Sequence, residues 1–472
     1  MSESASVAQP RRVDLTQGSL LWKILLLSWP IVTGSFLQFL FGIVAMKMVG
    51  ILGPTAIAAV GTSRAAIMTF MAAVLAVSAG TQVLTARFAG QRRADMVAAV
   101  TRQALIASVL LGVVLMPVGW FLARPLMAAL GANEQVLDQA TAYTRAYFLG
   151  MVPFMINFML PAALSGVGDT LTPLYVLTFL NVINRFLDWF LIFGVGPFPR
   201  LGVVGAAWGE VISRVIGAVL LLWIVFCGRF AIHVPLRGSW RIDIGLWGKM
   251  FYIGAPNSIQ ALARNFSFLT LLWVLNQTAA RQLAVAGHTI ATQIQMVMNI
   301  VGLALMNAAM IAVSQNMGAK AVQRAERSGW MIAGLSLTLI SGIAAVVALL
   351  ARPMVAFFTN DAETIRWGVT ALWILSAAQP FGTVSMAFSG ALRGAGDTLS
   401  PLWATLIFTF AVCPIVAYTL AIPLGWGPPG TWVGMATAML GQATTVGTIF
   451  KRGKWKTIRL ERGIVEVETP AE

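Results

Sequence analysis

Two carboxylates lie deep inside long apolar segments of this 472-residue sequence, and they are the first residues that could do chemistry. The chain has 17 acidic residues, and all but Asp188 and Glu210 fall in tails, loops or the ends of apolar segments. A carboxylate in hydrocarbon is energetically costly, so its presence there is by default a hypothesis of function. Such a group can bind and release a proton or a cation, as an ion-coupled carrier requires.

The residues around Asp188 allow two interpretations. Asn184 lies four residues before Asp188 and Arg185 three before, so in a helix they share one face. Asn184 and Asp188 could form the polar wall of an ion-coupling pocket, or Arg185 and Asp188 could be a mutually neutralising pair. Glu210 has Arg214 four residues later, so it is either a second coupling acid or half of a structural ion pair.

Further polar side chains within apolar segments predict the wall of a substrate cavity. Lys47 either reaches towards the membrane interface or pairs with Asp188. For the buried amides, the alternative is hydrogen bonding between helices. Met and Trp, at 22 and 16 residues, suit bulky apolar or cationic guests, but membrane cores and interfacial belts use them too. The candidate cavity residues are Gln38, Lys47, Asn157, Arg185, Trp189, Gln260 and Arg264.

The composition indicates an integral membrane protein. Hydrophobic residues make up 58% of the chain and charged residues 10%, against about 25% charged in soluble domains. This balance argues against disorder, a disulfide scaffold and a nucleic-acid-binding domain. Two cysteines, two histidines and the lack of a phosphate-loop motif leave no recognisable metal site, enzyme centre or ATP site. We expect no cofactor beyond a coupling ion, H⁺ or Na⁺.

The sequence divides into twelve apolar segments of membrane-spanning length. They should be helices, because a helix satisfies its own backbone hydrogen bonds in lipid. The predicted fold class is therefore all-α and integral to the membrane. The segments run over residues 21–47, 56–84, 98–122, 141–163, 171–195, 203–227, 247–275, 284–313, 328–350, 364–390, 400–421 and 430–450.

Basic residues give the expected orientation in the membrane. With twelve spans, both termini and five of the connections share one side, and 21 of the 32 Lys and Arg residues lie there. Six lie on the other side and five within the spans. Because basic loops favour the cytoplasm, we expect both termini to be cytoplasmic in the inner (plasma) membrane. The basic stretch from Lys451 to Arg462 is a topology anchor or, less simply, a contact for anionic lipid.

The chain is an internal duplication. Residues 164–174 (LSGVGDTLTPL) recur as residues 392–402 (LRGAGDTLSPL), with eight of eleven positions identical at an offset of 228. Each half has six spans, so both halves enter from the same side and form a parallel repeat of two six-helix bundles. The predicted regions are a cytoplasmic tail over 1–20, bundles over 21–228 and 247–450, a linker over 229–246, and a basic tail over 451–472.

The repeated loop also predicts how two helices begin. Its Gly-x-Gly-Asp-Thr sequence ends one helix, and either the Asp or the Thr can cap the free amides of the next. The candidate caps are Asp169 or Thr170 in the first half, and Asp397 or Thr398 in the second. This interpretation makes the loop a structural turn.

The order of these motifs resembles the multidrug and toxic compound extrusion (MATE) family over nearly the whole chain. The stretches that carry the resemblance are Trp29-Pro30, Gly50-x-x-Gly53, Ala86-Arg87-x-x-Gly90, Leu164-x-Gly-x-Gly-Asp-Thr170, Asn184-x-x-x-Asp188, Phe198-Pro-x-Leu-Gly202, Gly254-x-Pro256 and Gln315-Asn-x-Gly-Ala319. The resemblance implies two six-helix bundles around a central cavity, and export of drugs or metabolites against H⁺ or Na⁺. Asn184 and Asp188 match the cation-site Asn and Asp of the fifth helix in the DinF-like branch.

The sequence departs from that branch at one site. The first-helix acid implied by the resemblance is absent, since the matching stretch reads Val44-Ala45-Met46 and Lys47 follows. Arg264 stands where another branch carries Glu in the seventh helix. These departures predict coupling through Asp188 with Glu210, or an altered form of coupling.

We therefore expect a secondary active efflux transporter rather than an enzyme. It would export amphipathic or cationic organic compounds in exchange for H⁺ or Na⁺ by alternating access. The alternative is a flippase or exporter of a lipid-linked or anionic metabolite precursor, which a cationic cavity would favour. The expected partners are a small-molecule substrate and membrane lipid, with no nucleic acid, and the expected state is a monomer.

Overall fold

Each of the twelve predicted spans coincides with one helix or with consecutive helical segments of the structure. The computed structural model describes residues 13–130, 133–235, 240–459 and 466–467. Parts of the predicted tails and of the predicted linker, including Arg11, Arg12, Arg237 and Arg462, lie outside these residues. Fifteen α-helices are described: α1 Leu20–Gly50, α2 Pro54–Gly90, α3 Ala94–Ala129, α4 Glu134–Leu149, α5 Met151–Gly166, α6 Leu171–Phe193, α7 Val203–Phe226, α8 Ile244–Gln277, α9 Arg281–Gly318, α10 Val322–Leu349, α11 Ala351–Ala356, α12 Ala362–Ala395, α13 Leu399–Ala404, α14 Cys413–Ala421 and α15 Pro428–Arg452.

Most of these helices are long and apolar enough to span a membrane. Within the described residues, nine spans are long and apolar enough to cross a membrane, with α13 to α14 counted as one, and the bent pair α4 and α5 makes a tenth. The two other predicted spans coincide with the helices α2 and α15. Short pieces complete the chain: a π-helix over Thr405–Val412, a 3₁₀ turn over Lys454–Thr457, and the antiparallel strands β1 Ile458–Arg459 and β2 Glu466–Val467. The all-α prediction is confirmed.

The bend between α4 and α5 has a local cause. The two helices meet at Gly150 with an angle of 56°. Pro153, three residues on, has no backbone N–H, and its ring collides with the carbonyl four residues earlier in a continuous helix. Gly150 also faces Val211 of α7, and a Cβ at this position would lie 2.7 Å from that side chain. The break therefore directs α5 back along its neighbours.

The described chain forms two compact units. Of the described residues, unit 1 comprises those from 13 to 14 and from 33 to 250, and unit 2 comprises those from 15 to 32 and from 251 to 467. In unit 1, α5 packs against α2, α3 and α7, and α6 packs along α7. In unit 2, α12 lies at the centre and packs against α9, α10 and α15. Trp432 of α15 is fully buried in the apolar core of unit 2.

The repeated loop has the same capping geometry in both units. Asp169 accepts hydrogen bonds from the backbone N–H and the hydroxyl of Thr172, at 3.0 and 2.7 Å. Asp397 accepts the equivalent pair from Ser400, also at 3.0 and 2.7 Å. The preceding glycines have positive φ, where a side chain would be strained. The aspartate of each loop, rather than the threonine, is therefore the cap.

Close contact between α9 and α12 depends on two glycines. A Cβ at Gly390 would overlap the carbonyl of Met306, and a Cβ at Gly394 would overlap the carbonyl of Met310. Each glycine is four residues from the other, so both lie on one face of α12. The backbones of the two helices approach closely because these positions have no side chain.

We predict that Gly390→Ala destabilises unit 2, because the added methyl group forces α9 and α12 apart. The expected cost is about 1–3 kcal/mol, measured as a lower melting temperature of the purified protein in detergent. Gly334→Ala is the matched control, since a Cβ there meets nothing within 4 Å. That change should leave the melting temperature equal or slightly higher, because Ala favours helix over Gly. Equal effects of the two changes would contradict the role of Gly390.

Candidate functional site

Asp188 lies on α6 and is only 3% exposed. Its Oδ2 forms an ion pair with Arg185 Nη1 at 3.0 Å, and its Oδ1 accepts a hydrogen bond from Asn184 Nδ2 at 3.3 Å. Arg185 also donates to the side-chain oxygen of Asn184. Both interpretations offered by the sequence are thus present together, since the polar wall and the ion pair use the same three side chains.

The approach of α7 to this carboxylate depends on small residues. A Cβ at Gly205 would overlap the carbonyl of Leu191, and a Cβ at Gly209 would overlap the Asp188 carboxylate. The spacing of four residues puts both glycines on the face of α7 that packs on α6. The next residue on α7 is Glu210, which this close packing brings to the same region.

Glu210 forms the predicted ion pair with Arg214, one helical turn later on α7. Arg214 also donates to the hydroxyl of Tyr147 at 2.9 Å. Its guanidinium lies 4.4 Å from the ring centres of both Tyr147 and Phe154, which is cation–π geometry. Arg214 is therefore fixed by two aromatic rings as well as by the acid.

The side chains of Asp188, Asn184, Arg185 and Glu210 line a polar cavity of about 40 Å³ in unit 1. That volume has room for a few water molecules or a small ion. Two further polar side chains belong to the lining, Arg64 from α2 and Tyr143 from α4. The full lining is Ala45, Met46, Val49, Val60, Arg64, Tyr143, Asn184, Arg185, Asp188, Ala206 and Glu210.

The sequence reasoning left Tyr143 out of the candidate residues. Tyr143 is buried, and the available signal was its helical spacing from Val136, Ala140 and Tyr147, which places it on the buried face of α4. Ala45 also lines the cavity, at the position where the family resemblance implies an acid. The missing first-helix carboxylate would therefore have faced Asp188 in the same space.

The other unit 1 candidates lie away from this cavity lining. Asn157 donates to the carbonyls of Pro153 and Arg214, both at 2.7 Å, and so links α5 to α7. Gln38, Lys47 and Trp189 have exposed side chains. Lys47 takes part in no ion pair among the described residues, where Asp188 pairs with Arg185 instead. Their assignment to a substrate cavity stays a prediction.

Unit 2 holds the two remaining candidates, and they differ in exposure. Arg264 is exposed, whereas Gln260, one turn earlier on α8, is 1% exposed. The Oε1 of Gln260 accepts hydrogen bonds from Arg393 Nη2 at 2.6 Å and from Thr405 Oγ1 at 3.3 Å. Gln442 Nε2 in turn donates to Thr405 Oγ1 at 2.9 Å.

The sequence counted Arg393 among the basic residues on the side of the termini, at the end of the tenth predicted span, and the structure shows that its side chain is buried there. The helix α12 continues to Ala395, five residues beyond the predicted end of its span, and Arg393 is 4% exposed within it. The signal lay in the repeat, because Arg393 replaces Ser165 in otherwise matching loops. A charge at a position where the other half has a hydroxyl indicates a local difference between the halves.

The family model described as MatE matches twice, over residues 30–190 and 256–419, once in each half of the duplication. A probable multidrug resistance protein NorM of Thermotoga maritima is 27% identical over 451 residues, which cover 92% of this chain and 93% of the relative. An FAD transporter of Shewanella oneidensis is 27% identical over 355 residues, covering 74% of this chain and 77% of the relative.

A solved structure has the same fold. It is described as the outward-facing conformation of a multidrug resistance MATE family transporter of the MOP superfamily. The TM-score is 0.86 at 23% identity, and the match covers 94% of this chain and 97% of that one. The predicted architecture of twelve helices in two bundles is confirmed.

We predict that Arg214→Met destabilises unit 1, because it leaves the Glu210 carboxylate without its counter-charge. The expected loss is roughly 1–3 kcal/mol, measured by thermal unfolding in detergent. The double variant Glu210→Gln, Arg214→Met should be less destabilised than Arg214→Met alone, since it leaves no unpaired charge. A double variant at least as unstable as the single one would show that Arg214 acts through its aromatic contacts rather than through the ion pair.

Proposed function

This chain belongs to the MATE family of multi-pass membrane transport proteins, and on that premise we propose that it is a secondary active exporter of amphipathic or cationic organic compounds. The observation that carries the proposal is the buried Asp188 carboxylate, which faces a small polar cavity inside unit 1. A carboxylate held in a membrane bundle is a group whose charge can change with ion binding. Transport would proceed by alternating access, without a cofactor and with a monomeric chain.

We propose H⁺ rather than Na⁺ as the coupling ion. Hard metal cations bind through several oxygen ligands. Here one carboxylate oxygen of Asp188 faces the Arg185 guanidinium, and the other accepts a hydrogen bond from the Asn184 amide. Both contacts come from donors, which favour a bare carboxylate and repel a cation. A proton needs no ligand shell, since it bonds to one carboxylate oxygen.

Competition between the proton and Arg185 supplies the coupling step in this proposal. Protonation of Asp188 neutralises the carboxylate and removes the charge that holds Arg185. The guanidinium is then free to turn towards Glu210, the second acid of the cavity. Loss of the proton restores the Arg185–Asp188 pair. Each proton bound or released would thus change the arrangement of charges between α6 and α7.

We predict that Asp188→Asn reduces proton-driven export at least tenfold, because an amide cannot take up a proton near neutral pH. The measurement is uptake of a fluorescent organic cation into everted vesicles under an imposed pH gradient, with a Na⁺ gradient in parallel. The parent protein should respond to the pH gradient alone. Asp138→Asn is the control, since Asp138 is exposed and pairs with Arg124 at the surface.

Unchanged transport by Asp188→Asn would remove Asp188 from the coupling step. Transport by the parent under a Na⁺ gradient alone would overturn the choice of proton. A melting temperature of Asp188→Asn close to that of the parent establishes that the variant is folded.

A second candidate function is export of an anionic or lipid-linked precursor. The observation that favours it is the polarity of unit 2, where the described membrane helices carry Arg264 and the buried Arg393 but no acidic partner for either. The Shewanella oneidensis relative is named an FAD transporter, and FAD carries two phosphate groups. The same vesicles distinguish the candidates, because uptake of FAD without uptake of organic cations would favour the second.

We further propose that the protein lies in the plasma membrane with both termini in the cytoplasm. The support is the distribution of basic residues, which favours the side of the termini by 21 to 6.

We predict that a cysteine introduced as Lys451→Cys resists a membrane-impermeant maleimide in intact cells and reacts after lysis. Arg200→Cys, in the connection between α6 and α7, is the matched position on the opposite side and should react in intact cells. Both residues are exposed. The background carries Cys227→Ser and Cys413→Ala, which removes the two native thiols. The reverse labelling pattern would invert the proposed orientation.

A further inference from the structure

A buried guanidinium lies at the centre of a polar network in unit 2. Arg393 of α12 is 4% exposed, and its Nη2 donates to Gln260 of α8 at 2.6 Å. Among the described residues, its Nη1 has only the sulfur of Met306, at 3.7 Å, as a partner. Thr405 and Gln442 extend the network from Gln260 to α15. The partners of Arg393 are thus neutral, and none of them balances its charge.

Two donors of this network are buried and unsatisfied. The Nε–H of Arg393 and the Nε2–H of Gln260 have no hydrogen-bond partner among the described residues. The two groups flank the same Arg393–Gln260 hydrogen bond, since Nε and Nη2 share one carbon and Nε2 and Oε1 share another. A buried donor without an acceptor costs free energy, so two adjacent ones indicate an acceptor that is not part of the chain.

Charge leads to the same conclusion. Arg264 lies one helical turn after Gln260 on α8, which contributes a second positive charge next to the residue that Arg393 contacts. The acidic side chains described in unit 2 are all engaged elsewhere. Glu326 pairs with Lys456, Glu363 pairs with Arg366, and the two aspartates Asp361 and Asp397 cap helices. The buried Arg393 therefore has no carboxylate partner among the described residues, which is costly in a membrane protein unless an anion balances its charge.

The backbone beside the network is also irregular. Thr405, which donates to Gln260, begins a π-helix over Thr405–Val412. π-Helical turns are rare in proteins, and those that occur are often found at functional sites. The matching part of the first half, 228 residues earlier, lies within the continuous helix α6. The π-helix and Arg393 are therefore both features that the second half has and the first half lacks.

We propose that Arg393, Gln260 and Arg264 form a binding site in unit 2 for an oxyanion, namely a phosphate or carboxylate group. The planar fork of a guanidinium and the amide N–H match the oxygens of such a group better than a spherical halide. The bound oxygens would accept from Arg393 Nε and Gln260 Nε2 and would balance both arginines. The site depends on contacts of unit 2 alone, so it stands or falls independently of the Asp188 coupling step.

The test is oxyanion binding by the purified full-length protein, with inorganic phosphate and glycerol phosphate as soluble probes. The parent should melt at a higher temperature in phosphate than in chloride at equal ionic strength. Titration calorimetry gives the dissociation constant. A third arm adds phosphatidylglycerol to nanodiscs of neutral lipid, and stabilisation in that arm alone assigns the oxyanion to a lipid headgroup.

The decisive variant is Gln260→Glu. It keeps an acceptor 2.6 Å from Arg393 Nη2 and adds an internal counter-charge. We expect at least tenfold weaker phosphate binding, and a melting temperature without phosphate at or above that of the parent. Arg264→Gln, at an exposed position, should also weaken binding. Gln295→Glu is the control, because Gln295 is another buried glutamine of unit 2 with an unsatisfied Nε2, and it should keep the phosphate effect.

Two results would overturn the site. One is a parent protein that neither binds phosphate nor is stabilised by it or by phosphatidylglycerol. The other is binding that is equally strong in the parent, Gln260→Glu and Arg264→Gln. Binding is measured here without transport, so failure of this test leaves the exporter proposal untouched, and failure of proton-driven export leaves this site untouched.

Discussion

The ion pair between Arg185 and Asp188 sets the arrangement of unit 1. A carboxylate in the interior of a membrane bundle requires a counter-charge and hydrogen bonds from its own neighbours, because no bulk water is there to solvate it. Helical spacing provides both, from Asn184 and Arg185 on the same face. Gly209 then admits α7 close to the carboxylate, and this brings Glu210 to the same cavity.

The cavity of unit 1 combines acids and bases in similar number. Asp188 and Glu210 face Arg185 and Arg64 across a small polar space. In the proposed coupling step, binding of one proton to Asp188 would neutralise its carboxylate and release Arg185. Protonation of the acid would thereby change the contacts between α6 and α7. Without an acid at Ala45, the carboxylates that line the cavity are Asp188 and Glu210, and each is paired with an arginine of its own helix. Coupling in this chain is thus concentrated on α6 and α7.

Duplication preserved the frame of the two units and changed their charged interiors. The aspartate caps at Asp169 and Asp397 have identical hydrogen-bond lengths. In unit 1 the buried charge at the centre is acidic and paired. In unit 2 it is Arg393, with a glutamine as its partner. A conserved scaffold with opposite interior polarity allows one chain to handle a proton in one unit and a negatively charged group in the other.

The sequence by itself determined the helices, the repeat and the pairs that lie within one helix. Apolar length dictates a helix in lipid, and a spacing of three or four residues puts Asp188 beside Arg185, and Glu210 beside Arg214, wherever that helix packs. Only the tertiary structure decided which side chains meet across helices. It buried Arg393 and brought Tyr143 into the cavity, and on α8 it buried Gln260 but left Arg264 exposed, because burial depends on the neighbouring helix rather than on sequence spacing.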